Sequence, residues 1–305
     1  MPTTPTLHNI GSINIDWVYQ LPAIVRPGET LSSSRRERFV GGKGANQSVA
    51  AARAGQRVEH IGRVGQDGGW LTELLEAEGI GTQHLMTDPE TPTGHAIIQV
   101  DRSGENAIFL LPGANHRIDR AQLDRALATA TPDDWVLTQN ETGNAQQVIE
   151  LAEQRGLRCA FNPAPITEEL RGMTLESLAV LVVNETESRA FVEHAQPEAV
   201  VRELGQRVSG LAVLTRGANG VMASDGRQVW NASGRQVPVV RDTTAAGDTF
   251  TGFLIAALMA EQSVDDALAT ATSAAALAVT RDGAIPSIPT AEEAARFIAE
   301  GHEPA

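Results

Sequence analysis

Short apolar runs with strand character alternate with longer segments of helical period along most of the chain. Strands are predicted at the runs 134–137, 158–161, 179–183 and 212–215. Helices are predicted after Asn184 and over the segments 144–155, 247–261, 264–280 and 291–301. This alternation predicts an α/β fold with a mostly parallel sheet that helices cover on both faces.

Two stretches, residues 11–40 and 93–112, break the alternation. They contain short strands such as GHAIIQVD and NAIFLLPG, with no long helix between them. We expect these strands to form a small antiparallel sheet that projects from the main body as a lid. One apolar face of such a sheet needs a cover, which a ligand or a partner subunit would supply. No linker or internal repeat is visible, so we predict a single domain over residues 1–305 that carries this lid.

Composition narrows the range of partners. The chain has 305 residues, of which 42% are hydrophobic, and this is enough for a globular protein with a sizeable core. The formal net charge is −14, and no basic stretch offsets it. Nucleic acid and anionic membranes are therefore disfavoured as partners, and an anionic ligand would need a locally positive pocket.

The cysteine content and the N-terminal sequence indicate the cellular compartment of the protein. The single cysteine, Cys159, excludes an intramolecular disulfide and a zinc site built from several cysteines. The segment MPTTPTLHNI lacks the basic region and apolar run of a signal peptide. No apolar stretch reaches the roughly 18 residues that a membrane span needs. We therefore predict a cytoplasmic protein with no membrane partner.

The stretch GGKGANQ, residues 41–47, contains Lys43, the only lysine among 24 basic lysine and arginine residues. Three glycines before an alanine-rich segment predict a tight turn that leads into a helix. The free N–H groups at the start of a helix suit an anion or a polyhydroxyl ligand, although an isolated pair of glycines is more often an ordinary turn. A Walker A loop is excluded, because Gly44 and not Ser or Thr follows the lysine, and the glycine fingerprint of dinucleotide-binding enzymes is absent.

The stretch DTTAAGDTF, residues 242–250, places Asp248 at the start of a long apolar helix. Asp is a preferred N-cap residue, so one interpretation is purely structural. The other is catalytic: a carboxylate beside free N–H groups is the arrangement that phosphoryl transfer requires, with a base for the attacking hydroxyl and donors for the transferred phosphate. The local pattern leaves both interpretations open.

Six segments in order carry a resemblance to a known family. They are GSINID (11–16), GGKGAN (41–46), NPAP (162–165), NETE (184–187), TRGANG (215–220) and DTTAAGDTF (242–250). Together they resemble the ribokinase or PfkB family of sugar kinases over about residues 7–290. The intact GGKGANQ, the PGAN at 112–115 and the TRDGAIPS at 280–287 are similar to the ribokinase branch. The resemblance implies a three-layer α/β sandwich with a mostly parallel central sheet and a β-sheet lid.

The resemblance also implies roles for single residues. Asp248 would be the catalytic base, and the backbone amides of Ala245, Ala246 and Gly247 would form an anion hole. The sugar would be bound, in addition, by Asn14, Asp16, Gly42, Lys43, Asn46 and Glu141. ATP and Mg²⁺ would be bound by Asn184, Glu187, Thr215, Gly217, Gly220 and Thr272. A monovalent cation, usually K⁺, would be held, partly by backbone carbonyls, at Asp242, Thr244, Ala278, Arg281, Gly283 and Ser287.

The implied activity is transfer of the γ-phosphate of ATP to the primary hydroxyl of a sugar, with D-ribose as the expected acceptor. We also expect a homodimer through the lid, because pairing of two lids would cover their apolar faces. Another sugar or nucleoside kinase, or a catalytically silent sugar-binding protein, are the alternatives. Three positions depart from the family or stand out. Ala245 lies where the family often has Gly, Thr272 lies where related kinases often carry Asn or His, and Trp17 is bulky beside the expected sugar contacts. Trp17 should point away from the face that Asp16 uses, towards a core or a subunit interface.

Overall fold

A computed structural model describes residues 4–300 and contains two sheets and eight α-helices in that part of the chain. The strands are β1 (Thr6–Ile10), β2 (Asn14–Gln20), β3 (Arg35–Gly41), β4 (Arg57–Gly65), β5 (Leu85–Asp88), β6 (Gly94–Val100), β7 (Asn106–Leu111), β8 (Trp135–Gln139), β9 (Arg158–Asn162), β10 (Leu178–Asn184), β11 (Leu211–Thr215), β12 (Val221–Ser224) and β13 (Val229–Ala232). The helices are α1 (Lys43–Arg53), α2 (Gly69–Ala77), α3 (Arg120–Ala126), α4 (Ala145–Gln154), α5 (Pro197–Arg207), α6 (Ala246–Met259), α7 (Val264–Ala278) and α8 (Ala291–Ala299).

The large sheet has nine strands in the order β13-β12-β11-β10-β9-β8-β1-β4-β5. Neighbouring strands from β5 to β11 are parallel, and β12 and β13 continue the sheet as antiparallel strands. Side chains of the central strands are buried on both faces. In β10, Val180 and Val182 belong to a core cluster that includes residues of α1, α6 and α7, whereas Leu181 and Val183 belong to a second cluster that includes residues of α3, α4 and α5. A parallel sheet covered by helices on both faces, as the sequence predicts, is therefore present.

Helix α6 is buried around nearly its whole circumference, because it lies between α1 and α7. A glycine permits the close approach of α1 and α6. A Cβ atom at Gly252 would lie 2.5 Å from the Cβ of Ala50 and 2.7 Å from the backbone nitrogen of Ala51. The two helices can therefore bring their N-terminal turns to one point.

The smaller sheet has the order β3-β2-β6-β7. The sequence predicts an antiparallel sheet, and this is wrong for one of the three pairings, because β2 and β6 are parallel. The chain returns to the body through α1, β4, α2 and β5 between these two strands, so both leave the body in the same direction. Asn14 and Asp16 share one face of β2, while Trp17 points to the other face and packs against the apolar core.

The predicted and observed elements differ most after Asn184. A short 3₁₀ helix, Glu187–Ala190, follows that residue, and α5 begins only at Pro197, which suits the first turn of a helix. Elsewhere the predicted boundaries agree with the observed ones to within two residues; α6, for example, is predicted over 247–261 and runs from Ala246 to Met259. Within residues 4–300, no helix has the length and apolar character required to cross a membrane.

Candidate active site

Polar side chains meet where several parallel strands end. Glu141 follows β8, Asn162 ends β9 and Asn184 ends β10. Helices α1 and α6 direct their first turns to the same edge of the sheet, with Lys43 and Asp248 on those turns. The carboxyl edge of a parallel sheet is the usual position of a ligand site in α/β proteins.

Asp248 lies in the first turn of α6, and only 6% of its surface is exposed. One carboxylate oxygen accepts a hydrogen bond from Asn46 Nδ2 (2.9 Å), and the other accepts one from Gln47 Nε2 (2.9 Å). The interpretation of Asp248 as an N-cap is wrong, because the N-cap is Ala245 and the helix start has no side-chain cap. The carboxylate is thus held by α1 instead of by the N–H groups of its own helix.

The start of α6 offers free backbone donors beside this carboxylate. Ala245 has a φ of 60°, in the left-handed region, which turns the chain into the helix. The N–H of Ala246 donates to the carbonyl of Thr243 (3.2 Å), so this member of the predicted anion hole already has an acceptor. The N–H groups of Ala245 and Gly247 have no acceptor in the described part of the chain, as expected for the first turn of a helix.

Glu141 fixes the turn before α1. One of its carboxylate oxygens accepts the Ser12 hydroxyl and the backbone N–H of Lys43 (2.9 Å). Gly42 has a φ of 90°, and a Cβ there would lie 3.0 Å from the backbone of Ser12 and Ile13. The glycine at this position is therefore required by the backbone conformation and by its close neighbours.

Asn14 and Asp16 face the site from the lid. Asn14 Oδ1 accepts a hydrogen bond from Asn115 Nδ2 (2.7 Å), which leaves the Asn14 amino group directed elsewhere. Burial, and then the charge of Glu141, raise the pKa of Asp16 to about 6. Gly41 on β3 leaves room for this carboxylate, because a Cβ there would lie 2.1 Å from its Oδ2.

Lys43 is the positive centre of the site. Its pKa is raised, first by the negative charge of Asp248 and then by those of Glu141 and Glu187. Burial raises the pKa of Glu141 and of Glu187, and the nearby lysine opposes this effect. Within residues 4–300 the lysine ammonium has no hydrogen-bond or ion-pair partner, so its three donors are available to a ligand.

Two cavities meet beside these groups. A cavity of about 250 Å³ is lined by Lys43, Asn184, Glu187, Gly247 and Asp248, among others. A second cavity has a volume of about 330 Å³. It is lined by the four residues that, besides Asn184 and Glu187, are predicted to bind ATP and Mg²⁺: Thr215, Gly217, Gly220 and Thr272.

The second cavity suits a flat, largely apolar group with a polar edge. Most of its wall comes from apolar side chains such as Val240, Phe250 and Ala275. The hydroxyl of Thr272 is buried and has no hydrogen-bond partner among the described residues. Both cavities share Thr215, Thr243 and Gly247, so one elongated ligand can extend from the apolar cavity to the charged one.

The predicted cation positions lie on two adjoining loops. Asp242 Oδ1 accepts the N–H (2.8 Å) and the hydroxyl (2.6 Å) of Thr244, and its Oδ2 accepts the N–H of Gly283 (2.9 Å). The Arg281 side chain pairs with Glu293 (2.7 Å) and so contributes only its backbone to the loop. The remaining two positions are Ala278, at the end of α7, and Ser287, whose buried hydroxyl donates to the carbonyl of Ala284 (2.7 Å).

Sequence reasoning missed several buried polar residues that hold the predicted ones. Gln47 holds Asp248 and is hydrogen-bonded to Asn162, Ser12 holds Glu141, and Asn115 holds Asn14. Gln47 carried a signal, since a glutamine between asparagine and serine in a helix that packs with apolar α6 needs polar partners. The others are separated from their partners by about a hundred residues or more, and local pattern gives no sign of those contacts.

The chain is similar to known proteins over nearly its whole length. The sequence model described as pfkB family carbohydrate kinase matches residues 6–291. A ribokinase of Haemophilus influenzae is 37% identical over 302 residues, covering 96% of this chain and 98% of the relative. The structure of a ribokinase of Cryptococcus neoformans in complex with ADP has a TM-score of 0.84 and 35% identity, and the match covers 96% of this chain and 99% of that one.

A further structure, of Arabidopsis thaliana ribokinase complexed with ribose and ATP, has a TM-score of 0.83 and 27% identity over 97% of this chain and 99% of that one. These similarities confirm the predicted α/β sandwich with a mostly parallel central sheet and a smaller second sheet.

Proposed function

This chain belongs to the pfkB family of carbohydrate kinases, and from that premise we propose that it transfers the γ-phosphate of ATP to the primary hydroxyl of D-ribose. The acceptor is inferred from the relatives, which are named ribokinases, and from the Arabidopsis structure with ribose and ATP. Another sugar or a nucleoside as acceptor is the alternative within the same chemistry.

One observation carries the proposal. Asp248, with both oxygens held by amide donors of α1, lies beside free N–H groups of α6 and lines the charged cavity that adjoins the apolar one. A base, donors for a phosphate and a nucleotide-sized channel therefore coincide. Phosphoryl transfer depends mainly on such positioning and on charge stabilisation.

In this mechanism Asp248 accepts the proton of the primary hydroxyl of the sugar while the hydroxyl oxygen forms a bond to the γ-phosphorus. The bond between that phosphorus and the bridging oxygen breaks, and ADP is the leaving group. Asn14, Asp16 and Glu141 orient the other hydroxyls of the sugar, because carboxylate and amide groups accept and donate hydrogen bonds to hydroxyls. Lys43 balances the carboxylates, which would otherwise repel the triphosphate, and the N–H groups at Ala245 and Gly247 stabilise charge on the transferred group.

Asn184 and Glu187 fit a role around Mg²⁺ and its waters. Asn184 Oδ1 accepts the N–H groups of Thr186 (2.9 Å) and Glu187 (2.8 Å), and the Glu187 carboxylate accepts the side-chain amide of Asn184 (2.8 Å) and its N–H (3.0 Å). The fixed carboxylate keeps lone pairs for further donors, and hard oxygen groups suit Mg²⁺, which usually retains several waters. Bound Mg²⁺ supplies charge neutralisation on the phosphates.

The loops at 242–244 and 281–287 fit a monovalent cation. The available groups are carboxylate, hydroxyl and carbonyl oxygens, and the contact between Asp242 and Gly283 holds the two loops together beside the start of α6. A bound K⁺ would stabilise the loop that precedes the anion hole.

We also propose a homodimer through the lid. Edge strand β7 exposes four consecutive apolar side chains, Ile108, Phe109, Leu110 and Leu111, of which Ile108 is 58% and Phe109 60% exposed. An edge strand of this kind is normally covered by a partner. Two further predictions also fit this function: a single domain that carries the lid, and a cytoplasmic location.

The test is the rate of ADP formation by the purified protein with Mg·ATP across a panel of sugars and nucleosides, each in K⁺ or in Na⁺. Turnover with D-ribose that rises in K⁺, and none with 5-deoxy-D-ribose, which lacks the primary hydroxyl, is expected. Turnover only with a different acceptor would correct the substrate. Sugar binding without any turnover would instead favour the silent sugar-binding protein.

A further inference from the structure

Buried amide side chains form a hydrogen-bonded network next to Asp248, and its members Gln47, Gln139 and Asn9 line neither of the two cavities. Gln47 is completely buried, and its Nε2 donates to Asp248 Oδ1 (2.9 Å) and to Asn162 Oδ1 (3.1 Å). Its Oε1 accepts a hydrogen bond from Gln139 Nε2 (2.8 Å). Three of the four hydrogen-bonding positions of this amide are therefore occupied.

This hydrogen-bonded network of amides continues into the sheet and returns to the glycine-rich turn. Gln139 Nε2 also donates to Asn9 Oδ1 (2.9 Å). Asn9 Nδ2 then donates to the carbonyl of Gly44 (2.8 Å) and to the hydroxyl of Ser48 (2.8 Å). Gln139 and Asn9 are as completely buried as Gln47.

Each side-chain amide of this network can adopt only one of its two flipped orientations. The Asp248 carboxylate and the Gly44 carbonyl, at the two ends, can only accept. If Gln47 were flipped, its oxygen would face the oxygens of Asp248 and Asn162, and its amino group would face that of Gln139. The orientation of Gln47 is thus fixed in part by Gln139 and Asn9, which line neither cavity.

We propose that Gln47 is a positioning residue for the phosphoryl-transfer reaction, which holds the Asp248 carboxylate so that its free lone pairs face the sugar hydroxyl. Asn46, the neighbouring residue, holds the second oxygen, and its own Oδ1 is buried without a partner in the described chain. Asn46 can therefore contact a ligand, whereas Gln47 faces the interior. This inference rests on the proposed function, because it assigns Gln47 a role in proton transfer to Asp248.

The loss of this contact should lower kcat and not sugar binding. Gln47 lines neither cavity, so its substitution removes one of the two donors that orient the Asp248 carboxylate and leaves the sugar-binding side chains in place. A residue with a purely structural role would lower stability and leave kcat in place.

The experiment compares Gln47→Met with a matched control, Gln122→Met, by kcat, KM for D-ribose and melting temperature. Gln122 is also a buried glutamine whose Nε2 donates twice, to the carbonyls of Gly62 (2.7 Å) and His84 (3.0 Å), but it lies outside the site. Both substitutions replace the buried amide of a glutamine by a methionine side chain of similar shape.

For Gln47→Met we expect kcat to fall about 10- to 100-fold and KM for D-ribose to change little. Gln47→Glu should lose more of kcat, since it places an acceptor against Asp248. Gln139→Met should lower kcat in the same way, and it carries the test if Gln47→Met does not fold. Gln122→Met should lower the melting temperature only.

An active wild-type protein whose Gln47→Met and Gln139→Met variants keep the same kcat as Gln122→Met would overturn the inference and leave the proposed function intact. A wild-type protein that phosphorylates no sugar would overturn the proposed function first, and the role of Gln47 with it. The two failures are therefore distinguishable.

Discussion

Lys43 lies where the carboxyl groups of Asp248, Glu141 and Glu187 would otherwise repel one another and repel a triphosphate. Every other basic residue of the chain is arginine. A lysine ammonium is a compact charge on a flexible stem, whereas a guanidinium is planar and prefers a paired carboxylate. The crowded, half-buried position between three carboxyl groups thus gives a physical reason for the one lysine.

The raised pKa of Asp16 leads to a prediction at the residue scale. The pKa lies near 6 in the unliganded protein, so Asp16 gains a proton as the pH falls through that value and then loses an acceptor for sugar hydroxyls. We expect kcat/KM for the sugar to fall about fivefold between pH 6 and pH 5, mainly through KM. Steady-state kinetics over this range provide the measurement.

Asp16→Asn is the control for this pH effect. It should lower kcat/KM at every pH and remove the change near pH 6, because the neutral amide does not titrate there. If Asp16→Asn kept the wild-type pH profile, Glu141 would be the titrating group, since burial also raises the pKa of Glu141.

Ala245 is a non-glycine residue at a φ of 60°, and this conformation costs an L-residue about 1–2 kcal/mol. Glycine avoids that cost but loses more backbone entropy on folding. We therefore expect Ala245→Gly to raise the free energy of unfolding by about 0.5–1 kcal/mol. Ala246→Gly, one position along in the helix, should lower it by up to about 1 kcal/mol, as measured by urea denaturation. Equal losses in both variants would contradict the account of this turn.

At the scale of elements, the contact between α1 and α6 brings Asn46 and Gln47 to Asp248. Gly252→Ala would force the two helices apart, because the added methyl group meets Ala50 and Ala51. We expect a loss of about 1–3 kcal/mol in unfolding free energy, together with a lower kcat.

Gly247→Ala is the matched substitution in the same helix. A Cβ at Gly247 meets no atom within 4 Å, so the unfolding free energy should stay within about 0.5 kcal/mol of the wild type. The methyl group would enter the two cavities, and KM for ATP should rise. Equal destabilisation by both substitutions would show that α1 and α6 are not in the close contact described.

The sequence predicts the elements of the body well, because buried strands and amphipathic helices have distinct periods, as in β10 and α4. It does not predict the parallel pairing of β2 with β6, since strand direction depends on the path of the chain between them. It also leaves the role of Asp248 open, because capping and catalysis use the same residue in the same local pattern. Only the approach of α1 to α6, about 200 residues away, decides it.

At the scale of the whole molecule, β7 should lie at a subunit interface. Ile108 and Leu110 share one face of the lid with Asp16, according to the strand register. We expect the wild-type protein to sediment as a dimer and the double variant Ile108→Asp, Leu110→Asp to sediment as a monomer. Ile298→Asp, at an exposed apolar position of α8, should remain a dimer. A monomeric wild-type protein would contradict the proposed interface.

The most direct test of the account is the rate of ADP formation with saturating D-ribose and Mg·ATP by the wild type and by Asp248→Asn. Asparagine keeps the shape of the side chain but cannot accept the hydroxyl proton. We predict that the variant still binds D-ribose and that its turnover falls by about 10²- to 10⁴-fold, the usual contribution of a general base. Turnover of the variant within a fewfold of the wild type would remove Asp248 from the mechanism and contradict the central claim.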